Sequence, residues 1–345
     1  MRRSFNLVLL GVKPTAVADH HSMNRRRLIA ASIAVAVAWR PALAAPRPNA
    51  RVGYLELVKA SDGERLYREF VEGLRSHGYV EGRNLRVLRR SAVAQPERLR
   101  ALAAELAAAK VDVILATTAE AALSAKVGAP GTAAVFVISS DPVLEGLVVS
   151  LSQPQGYLTG LVTRSEDLTA KRLQLLKEAF PRLRTVGIVG SNLSVSRVAF
   201  NDAAARLQVS ILQFPIHQFD DYRDAAAAIA RSTADAVLVV EDADSVTNMT
   251  AFTGLMMATR LPVMFNADVF VEGDGFGLMA YGVSLRQQYR RAADIAVRLL
   301  EGAKPYDIPV EQPTRYELVI NLRAAEVYSI ALSPDFLIRA DRVIR

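Results

Sequence analysis

The chain has no cysteine among its 345 residues. Disulfides, zinc–thiolate sites, iron–sulfur clusters and a thiol nucleophile are thereby excluded. Histidine is nearly as scarce. His20 and His21 fall in the first 44 residues, and His77 and His217 have no H-x-x-x-H partner, so no histidine metal site is expected. The sequence also lacks the G-x-x-x-x-G-K-[ST] loop that cradles phosphates. Gly273-Asp-Gly275-Phe-Gly277 gives only part of a dinucleotide fingerprint, and an apolar stretch follows it where a helix should start. It reads as a turn between strands. Gly187-Ile-Val-Gly190-Ser191-Asn192 follows a strand but lacks the G-x-S-x-G elbow of a serine hydrolase. No cofactor is expected from any of these motifs. Past residue 44 no stretch reaches 18 uninterrupted apolar residues, so no transmembrane helix is expected there.

What is present is a chain of 51% hydrophobic and 22% charged residues, enough to bury a sizeable core and long enough for two domains. The formal net charge of +7 is unevenly placed. Residues 1–44 hold Arg2, Arg3, Lys13, Arg25, Arg26, Arg27 and Arg40 against the single acid Asp19. That leaves 35 of the 42 basic and 34 of the 35 acidic residues for the rest, which is close to neutral. A near-neutral body argues against nucleic-acid binding. The basic segment has the layout of an export signal: Arg25-Arg26-Arg27, an apolar run over 28–39, and the small-x-small site Ala42-Leu43-Ala44. Met23 is a candidate start codon. Arg25-Arg26-Arg27-Leu28-Ile29 resembles a twin-arginine signal, and Arg40 disfavours the general secretory route, so both routes stay open. With no cysteine to carry a lipid, the exported chain is expected to be released into the periplasm without stable membrane insertion.

The remainder alternates strand and helix. Apolar runs at 52–58, 85–88, 111–116 and 134–138 are separated by helical patterns at 64–77, 96–110 and 120–127. The pattern restarts with a helix over 169–180 and strands at 185–189, 209–214, 236–240 and 262–265. Helices over 195–207, 221–231 and 247–259 lie between them. A long helix over 284–301 and a strand near 316–320 complete it. Strands apolar along their whole length and alternating with helices imply parallel sheets covered on both faces. The fold class expected is α/β: two doubly wound parallel-sheet lobes, joined near 157–164, with a hinge and a cleft between them.

Ligands in open α/β sheets bind at the C-terminal ends of the strands. Those ends carry Thr117 and Thr118, then Ser139, Ser140 and Asp141, then Ser191 and Asn192, then Glu241 and Asp242, and finally Asn266. Short hydroxyl, amide and carboxylate groups suit a small zwitterion: amides and hydroxyls for its carboxylate, an acid for its ammonium. The same residue types serve as helix N-caps, so both roles stand open at each position. Glu56 and Leu57, at the end of the first strand, also fall where such a pocket would be lined.

Several stretches carry a resemblance. They are Gly78-Tyr-Val-Glu-Gly-Arg-Asn84, Val111-Asp-Val-Ile, Asp141-Pro142 with Gly146-Leu-Val, Gly156-Tyr-Leu-Thr-Gly160, Lys171-Arg-Leu, Leu278-Met-Ala-Tyr-Gly282 and Gly302-Ala-Lys-Pro. The most specific is the tail, Pro309-Val-Glu-Gln-Pro-Thr-Arg-Tyr-Glu-Leu-Val-Ile-Asn321 with Arg339-Ala-Asp-Arg-Val-Ile344. Over nearly all of 50–345 the chain resembles the periplasmic substrate-binding proteins of ABC importers, the family that includes tryptophan- and tyrosine-type binders. It departs from the family's usual Gly-Asn-Val-Thr-Gly at 156–160 and from its plain double glycine before Tyr281. The resemblance implies a type I periplasmic binding protein fold that closes on a small ligand. It also implies ABC permease and ATPase partners, and ligand-facing roles for Thr117, Thr118, Asp141, Asn192, Asp242 and Tyr281. The division expected is an export signal over 1–44, a first lobe of 45–160 plus roughly 284–313, and a second lobe of 161–283 plus roughly 314–345. A monomer is expected. The competing class is an exported two-domain α/β enzyme with Asp141 or Asp242 as an acid–base group.

Overall fold

The first strand, β1 (Ala50–Glu56), shows why the chain folds in layers. Val52 and Tyr54 point to one face of a sheet and Leu55 to the other, and all three are fully buried. A strand apolar on both sides needs cover on both sides. The computed structural model describes residues 49–163, 168–190, 197–217, 220–240, 245, 248–272 and 277–345. The proposed export signal, Ser191, Asn192, Glu241, Asp242 and the glycine-rich 273–276 lie outside the described residues. No described helix is long and apolar enough to cross a membrane.

Five strands form the first sheet: β1, β2 (Leu85–Ser91), β3 (Val113–Ala116), β4 (Ala133–Ile138) and β5 (Leu158–Val162), in the order β2-β1-β3-β4-β5 and all parallel. One face packs under α2 (Leu99–Ala108) and α3 (Ala119–Gly128). The other is covered by α1 (Ala60–Ser76) and by α8 (Leu285–Leu300), a helix that arrives from far along the chain. The helix expected over 96–110 opens instead as a 3-10 turn, Pro96–Arg98, before α2 begins. The segment read as a joint near 157–164 contains β5. With Thr159 and Gly160 in a five-residue strand, the apolar run is too short to stand out.

The second sheet has seven strands, in the order β12-β11-β10-β9-β8-β6-β7. These are β6 (Thr185–Gly190), β7 (Ser210–Pro215), β8 (Ala236–Val239), β9 (Val263–Phe265), β10 (Met279–Gly282), β11 (Glu317–Asn321) and β12 (Arg342–Ile344). Helices α4 (Thr169–Ala179) and α5 (Arg197–Leu207) pack together, as do α6 (Asp221–Arg231) and α7 (Met249–Met257). The short helices α9 (Leu322–Val327) and α10 (Pro334–Leu337) lie between β11 and β12. The sheet is not wholly parallel. β11 runs antiparallel to β10, with Tyr281 opposite Leu318, and β12 runs parallel to β11. The N-terminal ends of β11 and β12 therefore lie at the C-terminal edge of β10.

Three stretches pass between the lobes: the one after β5, the turn Val283–Ser284 into α8, and the chain between α8 and β11. The last first runs along β5, where Thr159 Oγ1 donates to Ile308 O at 2.7 Å and Val162 N to Glu311 O at 2.9 Å. Thr159 and Gly160, part of the family-like motif, thus serve packing. A Cβ on Gly160 would lie 2.2 Å from Phe136 O.

The seam between α1 and α8 is equally tight. A Cβ on Gly73 would lie 2.6 Å from Ala293 Cβ and 3.2 Å from Arg290 O. In an exposed helix, glycine to alanine would add about 1 kcal/mol. Here Gly73→Ala is expected to destabilise by about 1–3 kcal/mol, as overpacking does, and Ala293→Gly in the same chain should recover part of it. Urea unfolding of the three variants gives the sign; a stabilised Gly73→Ala would show that the seam yields.

Candidate functional site

The C-terminal edge of the first sheet is reached by Glu56, Thr117 and Ser139–Asp141. Thr118 caps α3, its Oγ1 accepting from Ala121 N at 3.2 Å. Asp141 organises the turn after β4: its Oδ1 accepts from Val143 N at 2.8 Å and Leu144 N at 3.3 Å. Both residues therefore have the capping role that their residue types allowed. Ser139 and Ser140 are half-buried, and Ser140 Oγ has no hydrogen-bond partner among the described residues.

Thr117 belongs to a longer chain of contacts. Its hydroxyl pairs with that of Tyr289, delivered by α8, and Tyr289 pairs in turn with Tyr54 on β1. Burial pushes both phenols well above the usual tyrosine range, with the Glu56 carboxylate adding to the effect. Both are therefore neutral hydroxyls over the whole physiological range. Glu56 itself is spoken for. Arg89 from β2 grips it with two bonds, Nε to Oε1 at 2.5 Å and Nη2 to Oε2 at 3.0 Å, while its guanidinium lies 4.5 Å from the Tyr67 ring centre. A fully buried carboxylate needs such a partner, and this one is committed to holding the strand ends in register.

On the second sheet the corresponding edge holds Asn266, after β9, and Tyr281, in β10. Asn266 is 2% exposed, yet its Oδ1 has no hydrogen-bond partner among the described residues. The Tyr281 ring is half-buried and tilted against Tyr316, 6.3 Å between centres. The main chains of both are fixed by Arg172 of α4, which donates from Nε to Tyr281 O at 2.7 Å and from Nη2 to Asn266 O at 3.2 Å. Arg172 is the largest fully buried side chain among the described residues. Sequence reasoning singled it out only within a motif, although a signal exists: Thr169, Arg172, Leu173 and Leu176 share one buried helical stripe, and a charge on such a stripe marks a paired core group. Gly282 permits this approach, since a Cβ there would lie 1.9 Å from Asn266 O.

The structure thus places Thr117, Thr118, Ser139, Ser140 and Asp141 on one sheet edge and Asn266 and Tyr281 on the other. Within this set it separates caps from groups without partners among the described residues. A cavity of about 410 Å³ lies elsewhere, between α8 and residues 311–315, and contains none of these residues. Part of its polar lining is paired internally: Arg291 Nη2 to Glu311 Oε1 at 2.7 Å, and Gln287 Nε2 to Glu317 Oε1 at 2.9 Å. Among the described residues, no group of three His, Asp or Glu side chains could hold a metal ion.

Arg172→Met is expected to cost about 2–4 kcal/mol, because two buried carbonyls lose their donor at about 1–3 kcal/mol each. Arg172→Lys should recover only a fraction, one ammonium being a poor substitute for a planar fork that spans two carbonyls. Chemical denaturation checks both; an unchanged midpoint for the methionine variant would remove Arg172 from this role.

The fold is shared with known proteins. A tyrosine-binding protein of Clostridioides difficile (strain R20291) is 22% identical over 298 residues, covering 84% of this chain and 85% of that protein. The crystal structure of an ABC domain in complex with L-Trp from Streptococcus pneumonia has a TM-score of 0.73 at 20% identity, over 86% of this chain and 100% of that one. A conserved domain protein from Vibrio cholerae O1 biovar El Tor has a TM-score of 0.72 at 24% identity, over 86% and 99%. These structural likenesses show the fold: two α/β lobes of the type I periplasmic binding protein class. The family model for ABC transporter substrate binding proteins matches residues 52–344, and the chain belongs to that family.

Proposed function

We propose that this protein is the periplasmic receptor of an ABC importer. In this reading it captures a small zwitterionic solute between its two lobes and hands it to a membrane permease, while ATP is hydrolysed on another protein. The observation that carries the reading is a pair of polar atoms without a hydrogen-bond partner among the described residues, Ser140 Oγ and Asn266 Oδ1, at the strand ends of opposite lobes. Leaving such a group buried and unpaired costs about 1–3 kcal/mol, and a ligand that supplies the partners recovers it. Asn266 Oδ1 is an acceptor and calls for an N–H or O–H donor, an amino acid's ammonium among them. The Ser140 hydroxyl can donate to a carboxylate. Thr117 presents its hydroxyl from a site already braced by Tyr289.

Family membership supports a small ligand and transporter partners, and the basic, apolar, small-residue layout of residues 1–44 supports export. We take the lobes to be 45–160 with roughly 284–313, and 161–283 with roughly 314–345, hinged where the three stretches cross. Capture is then a shift in lobe population driven by the ligand's preference for the closed arrangement. The contacts of Asp141 favour receptor over enzyme: one of its carboxylate oxygens caps a turn through two backbone N–H groups. Ser191, Asn192 and Asp242 are proposed as further ligand contacts on the second lobe, and the working unit as a monomer.

The test is a thermal-shift and calorimetry panel on protein stripped of ligand by unfolding and refolding. L-Tryptophan and L-tyrosine come first, the solutes named for the similar proteins, then the other amino acids. A true ligand at one hundred times its Kd should stabilise the fold by about 2.7 kcal/mol. Asn266→Ala should weaken it tenfold or more, about 1.4 kcal/mol, with the fold intact. No binding by any amino acid or related small solute, together with turnover of some substrate, would sink the receptor reading.

A further inference from the structure

Beyond the strand ends, the described residues hold a second concentration of buried charge, and it joins the lobes. Glu272 follows the 3-10 turn Asp268–Phe270. Its carboxylate is 4% exposed and accepts from three guanidinium groups on three elements: Arg65 of α1, Arg286 in the first turn of α8 at 3.4 Å, and Arg342 of β12. Two of these arms reach the helices that cover the first sheet; the third comes from the second sheet. Neighbouring Asp268 accepts from Ser284 Oγ at 2.6 Å, Leu285 N at 3.0 Å and Arg342 Nη2 at 3.4 Å.

The carrier of these acids is rigid. Phe270 is fully buried, stacked on Phe265 at 5.4 Å and edge-on to Phe252 at 5.6 Å. Asn321 Nδ2 holds Val271 O at 2.9 Å. The opposite side is braced as well, since Glu69 of α1 accepts from Arg286 at 2.8 Å and from Arg290 at 2.6 Å. Glu272 is thus held on one lobe and addressed by arginines held on the other.

We infer that Glu272 and Arg65 are positioning residues for solute capture: a latch between the lobes that sets Asn266 opposite the first sheet's strand ends. The inference rests on the receptor reading for its purpose, though its geometry stands alone. Three features suit a contact that must form and break. Arg65 is 32% exposed, so water takes it up readily when it lets go. Glu272 keeps Arg342 on its own lobe, so opening does not strand a buried charge. An ion pair is also directional, whereas an apolar seam attracts in proportion to area and would not discriminate between arrangements.

Because the chain has no native cysteine, a spin-label pair can be placed cleanly at Glu120→Cys on the first lobe and Arg223→Cys on the second, both exposed. Pulsed electron resonance on the intact, ligand-free chain reads the distance between lobes. Arg65→Met and Glu272→Gln should each move population toward longer distances, changing the ratio of close to open forms about tenfold, with Arg65→Lys near the parent. Distances unchanged in both variants would overturn the latch, even if melting temperatures fell, because that pattern marks a bridge that merely stabilises. Should Glu272→Gln fail to fold, Arg65→Met decides alone. The solute panel fails or succeeds separately: a chain that binds no solute but opens on Arg65→Met keeps the latch and loses the receptor reading.

Discussion

Helix α8 can lie on the first sheet only because Gly73 and Ala293 let α1 come within contact distance of it, and the placement of the site follows from that approach. The same helix is capped by Ser284, whose hydroxyl is held by Asp268 of the second lobe. At its fifth residue, where its second turn begins, it delivers Tyr289 to Thr117 and Tyr54. One element is therefore packed into the first lobe, anchored at its root in the second, and bonded to a candidate ligand residue. A larger residue in the seam would lift the helix and disturb all three at once.

Polar residues at strand ends are common because helices need caps, so their presence alone distinguishes little. The contacts distinguish more. Thr118, Ser284, Asn321 and Ser333 each accept from a helix N-terminal amide, and that accounts for them. Ser140 and Asn266 are different: each has a buried polar atom without a partner among the described residues, which is a net cost. Both lie on the edge where α/β sheets take ligands. A cost borne at that edge on each lobe is what the proposed ligand would offset.

Much of this was legible in the sequence, and the remainder follows a rule. β1, β3, β4, β6 and β8 announce themselves because strands buried on both faces are apolar runs, and α1 and α8 because one stripe is apolar. Strands β5, β10 and β12 do not: five, four and three residues long, they contain Thr159 and Gly160, Tyr281 and Gly282, and Arg342. They are strands because neighbours pair with them. The antiparallel turn of β11 is likewise a matter of pairing. In the site, the strand-end hydroxyls and amides could be named in advance, but not which would be spent as caps. The charges hid best. Arg65 and Glu272 are 207 residues apart, and Arg172 meets carbonyls 94 and 109 positions away. Local pattern carries no trace of such pairings except the anomaly of a charge where an apolar residue belongs.

Those charges divide by what they must do. Arg172 bonds to main-chain carbonyls within one lobe, where neither partner has any need to move, and full burial suits it. Glu56 and Arg89 likewise fix strands of a single sheet. At the junction the pattern changes: the acids are buried while Arg65, Arg286 and Arg342 each remain about one-third exposed. A wholly buried pair would be costly to separate, because both charges would need hydration at once, and a wholly exposed one would contribute close to nothing. A buried acid facing half-hydrated arginines lies between these limits. In the proposed latch such contacts would favour one arrangement of the lobes and still be given up, as the proposed capture of a solute requires.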